Sequence, residues 1–407
     1  PLAEEIAAIL HRYHTKAGLW LSNQGFLEEH NRSFYRYLHE KQPRWLAGVV
    51  HAPWVEETVG SMRARTPARY PIRLYPDICH CVRCQYPVPD WDQAFAATLG
   101  REPAIYLPTN HTRISRMYQK ESCGAITYSD GVTDDLNKAI WTSMLWDPRR
   151  SDQSVLDDYA RFFFGETSRG QIVKGLRGLE ANWRGPLRTN PSPRSTLTLW
   201  QGLERRHADL ARRNWRFQMA LMRAYYDRYV QLRLDQDTRA ETATLRKLRQ
   251  TQDPVATARE IIAQPAVTVV GPALALRGRL LDFGQRLFDS IGMQLSVPRW
   301  GASGSERGAV MDYLDVPLAN QEWIRLELSR ALAQNNRQAV IEAIQRICMW
   351  EDPGPGGYYD DLGDPLRQPH LVRQKRWHSD PGYVQSTRVD FAIPQRGYRQ
   401  SWVHYAE

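Results

Sequence analysis

Cysteine is scarce in these 407 residues: the five present are Cys79, Cys81, Cys84, Cys123 and Cys348. An odd count, with three of them packed into "CHCVRC", argues against a disulfide framework. With His80 inside it, that cluster has the donor atoms of a zinc site. No second CxxC or HxxxH occurs to complete one, so no metal and no other cofactor is expected. Long apolar runs are also lacking. None approaches the ~18 residues of a membrane helix, and no membrane partner is expected. The opening "PLAEEIAAILHRYH" is amphipathic and lacks a methionine or a basic leader, so the chain reads as cut at its start. Gly-rich phosphate loops, a GxSxG elbow and HExxH are missing too. Phosphoryl transfer, serine hydrolysis and zinc proteolysis therefore have no motif behind them.

Acidic side chains are the minority, 45 against 54 Lys and Arg, for a net charge of +9. The densest basic stretches, "LERRHADLARRNWR" and "RAETATLRKLRQ", interleave acids at helical spacing. That is the pattern of a solvated helix face, so nucleic acid is not expected as a partner. What the chain has in excess is aromatic: 14 Trp and 19 Tyr, the side chains that protein sites offer to sugar rings.

The length suits two or three domains. Up to about residue 150, helices alternate with short apolar strands: "AGLWLS", "WLAGVVHAP", "YPIRLYPDICH" and "GAITYSD". Four helix-then-strand units in series predict a parallel sheet with crossover helices. The fold class expected is α/β followed by mostly α. The first part reads as the C-terminal half of a (β/α)8 barrel, with an open parallel sheet as the alternative. A helical domain follows over residues 151–350. The tail 351–407, rich in Gly, Pro and aromatics, reads as a long loop leading towards a further β-domain.

Polar residues gather where each strand ends, and the carboxyl ends of parallel strands are where sites are built. In "GAITYSDGVTDDLNKAIW", Asp134 and Asp135 suit the positive end of the next helix dipole. Asp130 has no such role, which makes it the leading candidate for acid/base or nucleophilic work on a glycosidic bond. A turn Asx is its structural alternative. Its partner carboxylate is sought at Asp77 or Asp92, and His80 is an oriented acid/base candidate beside Asp77. Gln24, His51, Trp54, Trp91 and Tyr128 are expected to line the site with Asp92. Trp183, Trp215 and the tyrosines of "AYYDRY" read as core. "GGYYDDLGDP" reads as a surface loop, with a lid over the site as its functional alternative.

With Asp77, "QYPVPDWD", "ITYSDGVTDDLNKAIW" and "YARFFFG", the chain resembles a group of large bacterial glycoside-hydrolase-like proteins. Their (β/α)8 barrels, followed by a helical domain, are distantly similar to α-glucuronidases and β-N-acetylhexosaminidases. The likeness extends through "NWRFQMALMRAYYDRY" and "QLSVPRWGA" into "WEDPGPGGYYDDLGDP", most of the chain. It implies a polysaccharide- or oligosaccharide-degrading glycoside hydrolase, extracellular or periplasmic, and an internal fragment of a larger parent chain. The non-catalytic alternative is a carbohydrate-binding or scaffold protein on a degenerate barrel. Two positions depart from the group's pattern: Asp130 stands where it has Glu in "YSEG", and Cys79 where it has Thr in "PDITH". Asp for Glu withdraws the carboxylate by on the order of 1 Å, a displacement that can cost ~10²-fold in rate.

Overall fold

The computed structural model describes residues 2–52, 55, 57–76, 78, 92, 94–95, 98, 104–129, 134–184, 186–265, 269–302 and 309–348; residues 357–361 and 401–405 are described as backbone. The chain is mostly helical, with a small parallel sheet, so α/β followed by helices is the architecture. It divides into two compact units. The first takes residues 1–87 and 105–162. The second takes 88–104 and 163–385. The stretch 88–104, read from sequence as a loop of the first domain, therefore belongs with the helices.

In the first unit, helix α1 (Leu2–Tyr13) precedes strand β1 (Leu19–Ser22), and α2 (Glu28–Lys41) leads to β2 (Leu46–His51). Then α3 (Val59–Arg65) leads to β3 (Ile72–Leu74), and α4 (Pro108–Gln119) to the stretch 124–128. Local chemistry sets the boundaries. Glu28 and Glu29 open α2 and His39 and Lys41 close it, matching the helix dipole. Thr58 caps α3, its hydroxyl accepting from the Ser61 N–H.

The strands are parallel in the order β1-β2-β3. The 124–128 stretch extends the sheet beyond β3, through a parallel bridge of Leu74 to Ala125. Leu74 N–H donates to the Gly124 carbonyl (2.8 Å), Ile126 N–H to Leu74 (2.9 Å) and Tyr128 N–H to Pro76 (2.9 Å). The expected fourth strand thus holds its place in spatial order, joined to β3 by a single bridge, since Pro76 has no N–H to continue the ladder. Among the described residues the strands do not close into a barrel.

One apolar cluster joins sheet and helices: Leu38 of α2, Met62 of α3 and Ile114 of α4 meet Val49, Ile72 and Leu74. Because strand side chains alternate, the opposite face carries Trp20, Arg73, Ile126 and Tyr128. There the Arg73 guanidinium lies 4.0 Å over the Trp20 ring. Gly48 makes room for the indole, since a Cβ would overlap Trp20 and come 2.6 Å from the Pro71 carbonyl oxygen. Ile126 on this face is 55% exposed. Helix α5 (Asp135–Trp146) follows and buries Ile140, Trp141 and Met144; α6 (Asp152–Phe164) comes next.

The second unit is built on one helix. After α7 (Arg169–Ala181), α8 (Ser192–Arg206) and α9 (Ala208–Arg213), α10 runs from Trp215 to Gln250. Asn214 caps it, accepting from the Phe217 N–H. Then come α11 (Pro254–Ala263), α12 (Pro272–Ile291), α13 (Val297–Trp300), α14 (Gln321–Ala333) and α15 (Arg337–Cys348). The stretch from Asn320 to Trp350 reads as one helix in sequence, but α14 and α15 form a hairpin. Asn335 breaks it with φ +49°, a left-handed conformation that Asn tolerates.

Along its inner side α10 carries buried polar groups that bind loop backbone. Arg223 pairs with Asp227 four residues on (2.5 Å) and donates to the Ala104 carbonyl (2.8 Å). Arg233 pairs with Asp237 (3.0 Å) and donates to Leu314 (3.1 Å) and Val316 (3.2 Å). Glu241 accepts from the Asn320 N–H at 3.0 Å. The tyrosines Tyr225, Tyr226 and Tyr229 are buried, as is Trp183 under Arg223 at 4.2 Å. Trp215 is half-buried. Strands β4 (Gly357–Asp361) and β5 (Ser401–Tyr405) pair antiparallel, so Tyr358 to Asp361 are strand and not the surface loop expected.

Removing one partner of a buried ion pair leaves the other charge uncompensated. Asp227→Ala is therefore expected to cost about 3–5 kcal/mol in denaturant unfolding of the helical unit.

Candidate functional site at the carboxyl ends of the strands

The candidates from sequence fall into three groups. Asp130, Asp77, His80, Trp54 and Trp91 lie outside the described residues. Gln24 and Tyr128 stand at strand ends, as expected. Gln24 is exposed just after β1, its N–H donating to Ser22 Oγ at 3.2 Å. Tyr128 is half-buried and meets Tyr75 edge to face, ring centroids 6.2 Å apart.

His51 and Asp92 are placed differently from expectation. His51 ends β2 but is buried, Nε2 within 2.8 Å of the Glu57 carbonyl oxygen and the ring stacked on Tyr118. Burial holds its pKa below the usual histidine range, so the ring is neutral and its N–H ties down the loop after β2. Asp92 lies in the helical unit. One oxygen accepts from the Ala94 N–H (2.9 Å) and the other from the Leu187 N–H (2.8 Å). It closes a loop there, with both oxygens engaged by backbone amides. The physical reason is that a buried backbone N–H needs an acceptor, and Asp92 supplies two.

Two further carboxylates stand at the strand ends. Glu57, in the loop after β2, keeps only 6% of its side chain exposed. Its Oε1 accepts from Asn23 Nδ2 (2.9 Å) and from the Tyr35 hydroxyl. Oε2 accepts from Ser61 Oγ (3.1 Å) and Arg65 Nη1 (3.4 Å). A carboxylate offers about four lone-pair sites, and here all four are taken. Glu57 is therefore a clamp: it fixes Asn23 at the end of β1 against α2 and α3. Burial, with Glu57 accepting from the hydroxyl, pushes the Tyr35 phenol well above its ordinary pKa. Asn23 is itself buried, and its Oδ1 has no hydrogen-bond partner.

Asp134 is the opposite case. Sequence reading gives it to the helix dipole, yet its side chain makes no capping bond to α5 and is fully buried, at 0% exposure. Oδ1 accepts from Ser129 Oγ at 2.6 Å and lies 3.4 Å from Lys138 Nζ. Oδ2 has no hydrogen-bond partner. Burial outweighs both the Ser129 hydrogen bond and the Lys138 charge, raising the carboxyl pKa to about 6. Its neighbour Asp135 accepts from the Tyr159 hydroxyl at 2.8 Å. Among the described residues, no three His, Cys, Asp or Glu side chains come together to hold a metal. None of the described helices is long and apolar enough to cross a membrane.

The sequence holds a usable signal for Glu57: an acid between a strand end and the capping Thr58. Reading "VEETVGSMRAR" as helix throughout hides it. Asp134 carries no such signal, since an acid before a helix is ordinarily solvated.

The two carboxylates predict opposite responses. Glu57→Gln brings amide hydrogens against donors and is expected to cost about 2–3 kcal/mol in denaturant unfolding at neutral pH. For Asp134, the native state holds its proton up to about pH 6, whereas the unfolded chain releases it near 3.8. The native form thus binds more protons in that window, and stability falls as pH rises through it. Asp134→Asn removes this loss. Its stability relative to wild type should improve by on the order of 3 kcal/mol between about pH 4 and pH 8.

Comparison with known proteins finds no family model, no curated protein and no solved structure that matches this chain.

Proposed function

We propose that the first unit is half of a (β/α)8 barrel of glycoside-hydrolase type, whose strand ends bind and cleave a polysaccharide or oligosaccharide. Two features of the sheet support the barrel. The four parallel segments follow one another in strict sequence order, β1-β2-β3 and then 124–128. Doubly wound sheets reverse direction, with orders such as 3-2-1-4-5-6. A barrel winds in one direction throughout. The helices α2, α3 and α4 also share a single apolar cluster with the sheet, as an outer ring of helices does.

The observation that carries the functional reading is the meeting of aromatic and acidic groups at one end of that sheet. Tyr75 and Tyr128 are in edge contact there, Ser129 follows Tyr128, and the Ser129 hydroxyl donates to Asp134. Aromatic faces pack on the apolar faces of sugar rings, and carboxylates supply the proton transfers that glycosidic cleavage requires. In this reading Asp130 is the acid/base or nucleophile, with Asp77 and His80 assisting and Gln24 near the ligand.

The test is turnover of a panel of oligosaccharides by wild type and Asp130→Asn, measured as release of new reducing ends. Wild type is expected to release them, and Asp130→Asn to fall by about 10²–10⁴-fold. Saturable binding without release would move the reading to a carbohydrate-binding barrel. Neither binding nor release would overturn both.

A further inference from the structure

We propose that Asp134 is the proton-accepting group behind the strand-end site, acting through the Ser129 hydroxyl without touching the ligand itself. This rests on the reading of the strand ends as a ligand site, and deepens it by naming how a proton leaves the ligand.

Three observations of geometry converge. Asp134 stands at the N-cap of α5, yet its side chain makes no bond to the helix N–H groups and is turned to Ser129. It is fully buried with Oδ2 unpartnered, an arrangement that penalises the ionised form. Its other oxygen receives one short bond, from the half-buried Ser129 Oγ at the end of the 124–128 stretch. A neutral carboxyl with its proton on Oδ1 leaves Oδ2 as a carbonyl oxygen, which is far cheaper to bury unpaired than a charged one.

The proton path balances. A ligand O–H bond breaks and its proton passes to Ser129 Oγ, while the Ser129 proton moves to Asp134 Oδ1. The ligand oxygen gains the electron pair, Ser129 ends as a hydroxyl and Asp134 as a neutral acid. The reverse movement resets the site. Lys138 is the charged group that faces Asp134 among the described residues, and it comes from the same helix. Asp135 is turned to Tyr159, and Ser129 is neutral. Lys138 favours the ionised form, so burial is what keeps the carboxyl exchangeable near pH 6. Asp134 is thus a positioning group: it orients Ser129 and stores the proton.

The experiment follows the Asp carboxyl carbons by NMR in the full chain, across about pH 3–9, in wild type, Asp134→Asn and Ser129→Ala. One wild-type signal should titrate near 6 and be missing in Asp134→Asn. Ser129→Ala, which removes a bond favouring the ionised form, should move that midpoint upward. With an oligosaccharide that the protein cleaves, wild-type turnover should fall about tenfold per pH unit below about 6. That limb should vanish in Asp134→Asn, and Ser129→Ala should lose at least about tenfold in kcat. A midpoint below about 4, a midpoint unmoved in Ser129→Ala, or a pH limb that persists in Asp134→Asn would each overturn the proposal. If no oligosaccharide is bound or cleaved, the glycosidase reading fails. The titration and its response to Ser129→Ala still decide whether the two residues share a proton. Should Asp134→Asn not fold, Ser129→Ala carries the test alone.

Discussion

Buried backbone groups must find partners, and in the helical unit α10 supplies them. An ordinary core helix would present an apolar stripe, leaving each loop packed against it to satisfy its own carbonyls and amides. Helix α10 instead threads Arg223, Asp227, Arg233, Asp237 and Glu241 through the apolar interior. Each cation has its carboxylate one turn on, so the pairs are matched within the helix before any loop docks. The spare donors and acceptors then hold the carbonyls of Ala104, Leu314 and Val316 and the amides of Leu318 and Asn320. Packing by hydrophobic residues alone would leave those loops without a register. Here each is fixed by hydrogen bonds that only one placement satisfies.

The same accounting separates the two carboxylates at the strand ends. Glu57 and Asp134 are both removed from solvent, and both follow a parallel strand in the chain. Glu57 is surrounded by Asn23, Tyr35, Ser61 and Arg65, and is spent on holding the first two strand ends together. Asp134 has Ser129 and a more distant Lys138, too little to offset the loss of water. Number of donors, and not depth, separates them: Glu57 has every lone pair engaged, and Asp134 keeps one oxygen without a partner.

Much of the first unit is legible in the chain. The spacing of Leu136, Ala139 and Ile140 marks α5, and the short apolar runs around Leu21, Val49 and Ile72 mark strands, since both patterns are local properties. The break at Asn335 is not legible, because Asn is tolerated both in a helix and in the left-handed turn that ends one. Nor is the fate of Asp92: a Pro-flanked "PDWD" loop reads as a platform, and its attachment to Leu187, ninety-five positions on, is invisible to any local window. His51 shows the same limit from the other side. Its position at the end of β2 is foreseeable, but its burial under Tyr118 is not.

The sequence by itself determined the alternation of helices and strands, the change to a run of helices after about residue 150, and the strand ends as the place where polar side chains collect. These follow from side-chain periodicity and capping chemistry, which act over a few residues. The tertiary structure decided which stretch belongs to which unit, placing 88–104 with the helices. It also decided that Glu57 is saturated while Asp134 keeps an oxygen unpaired. Those outcomes depend on how many donors reach a buried carboxylate from distant segments, a quantity that exists only once the chain is folded.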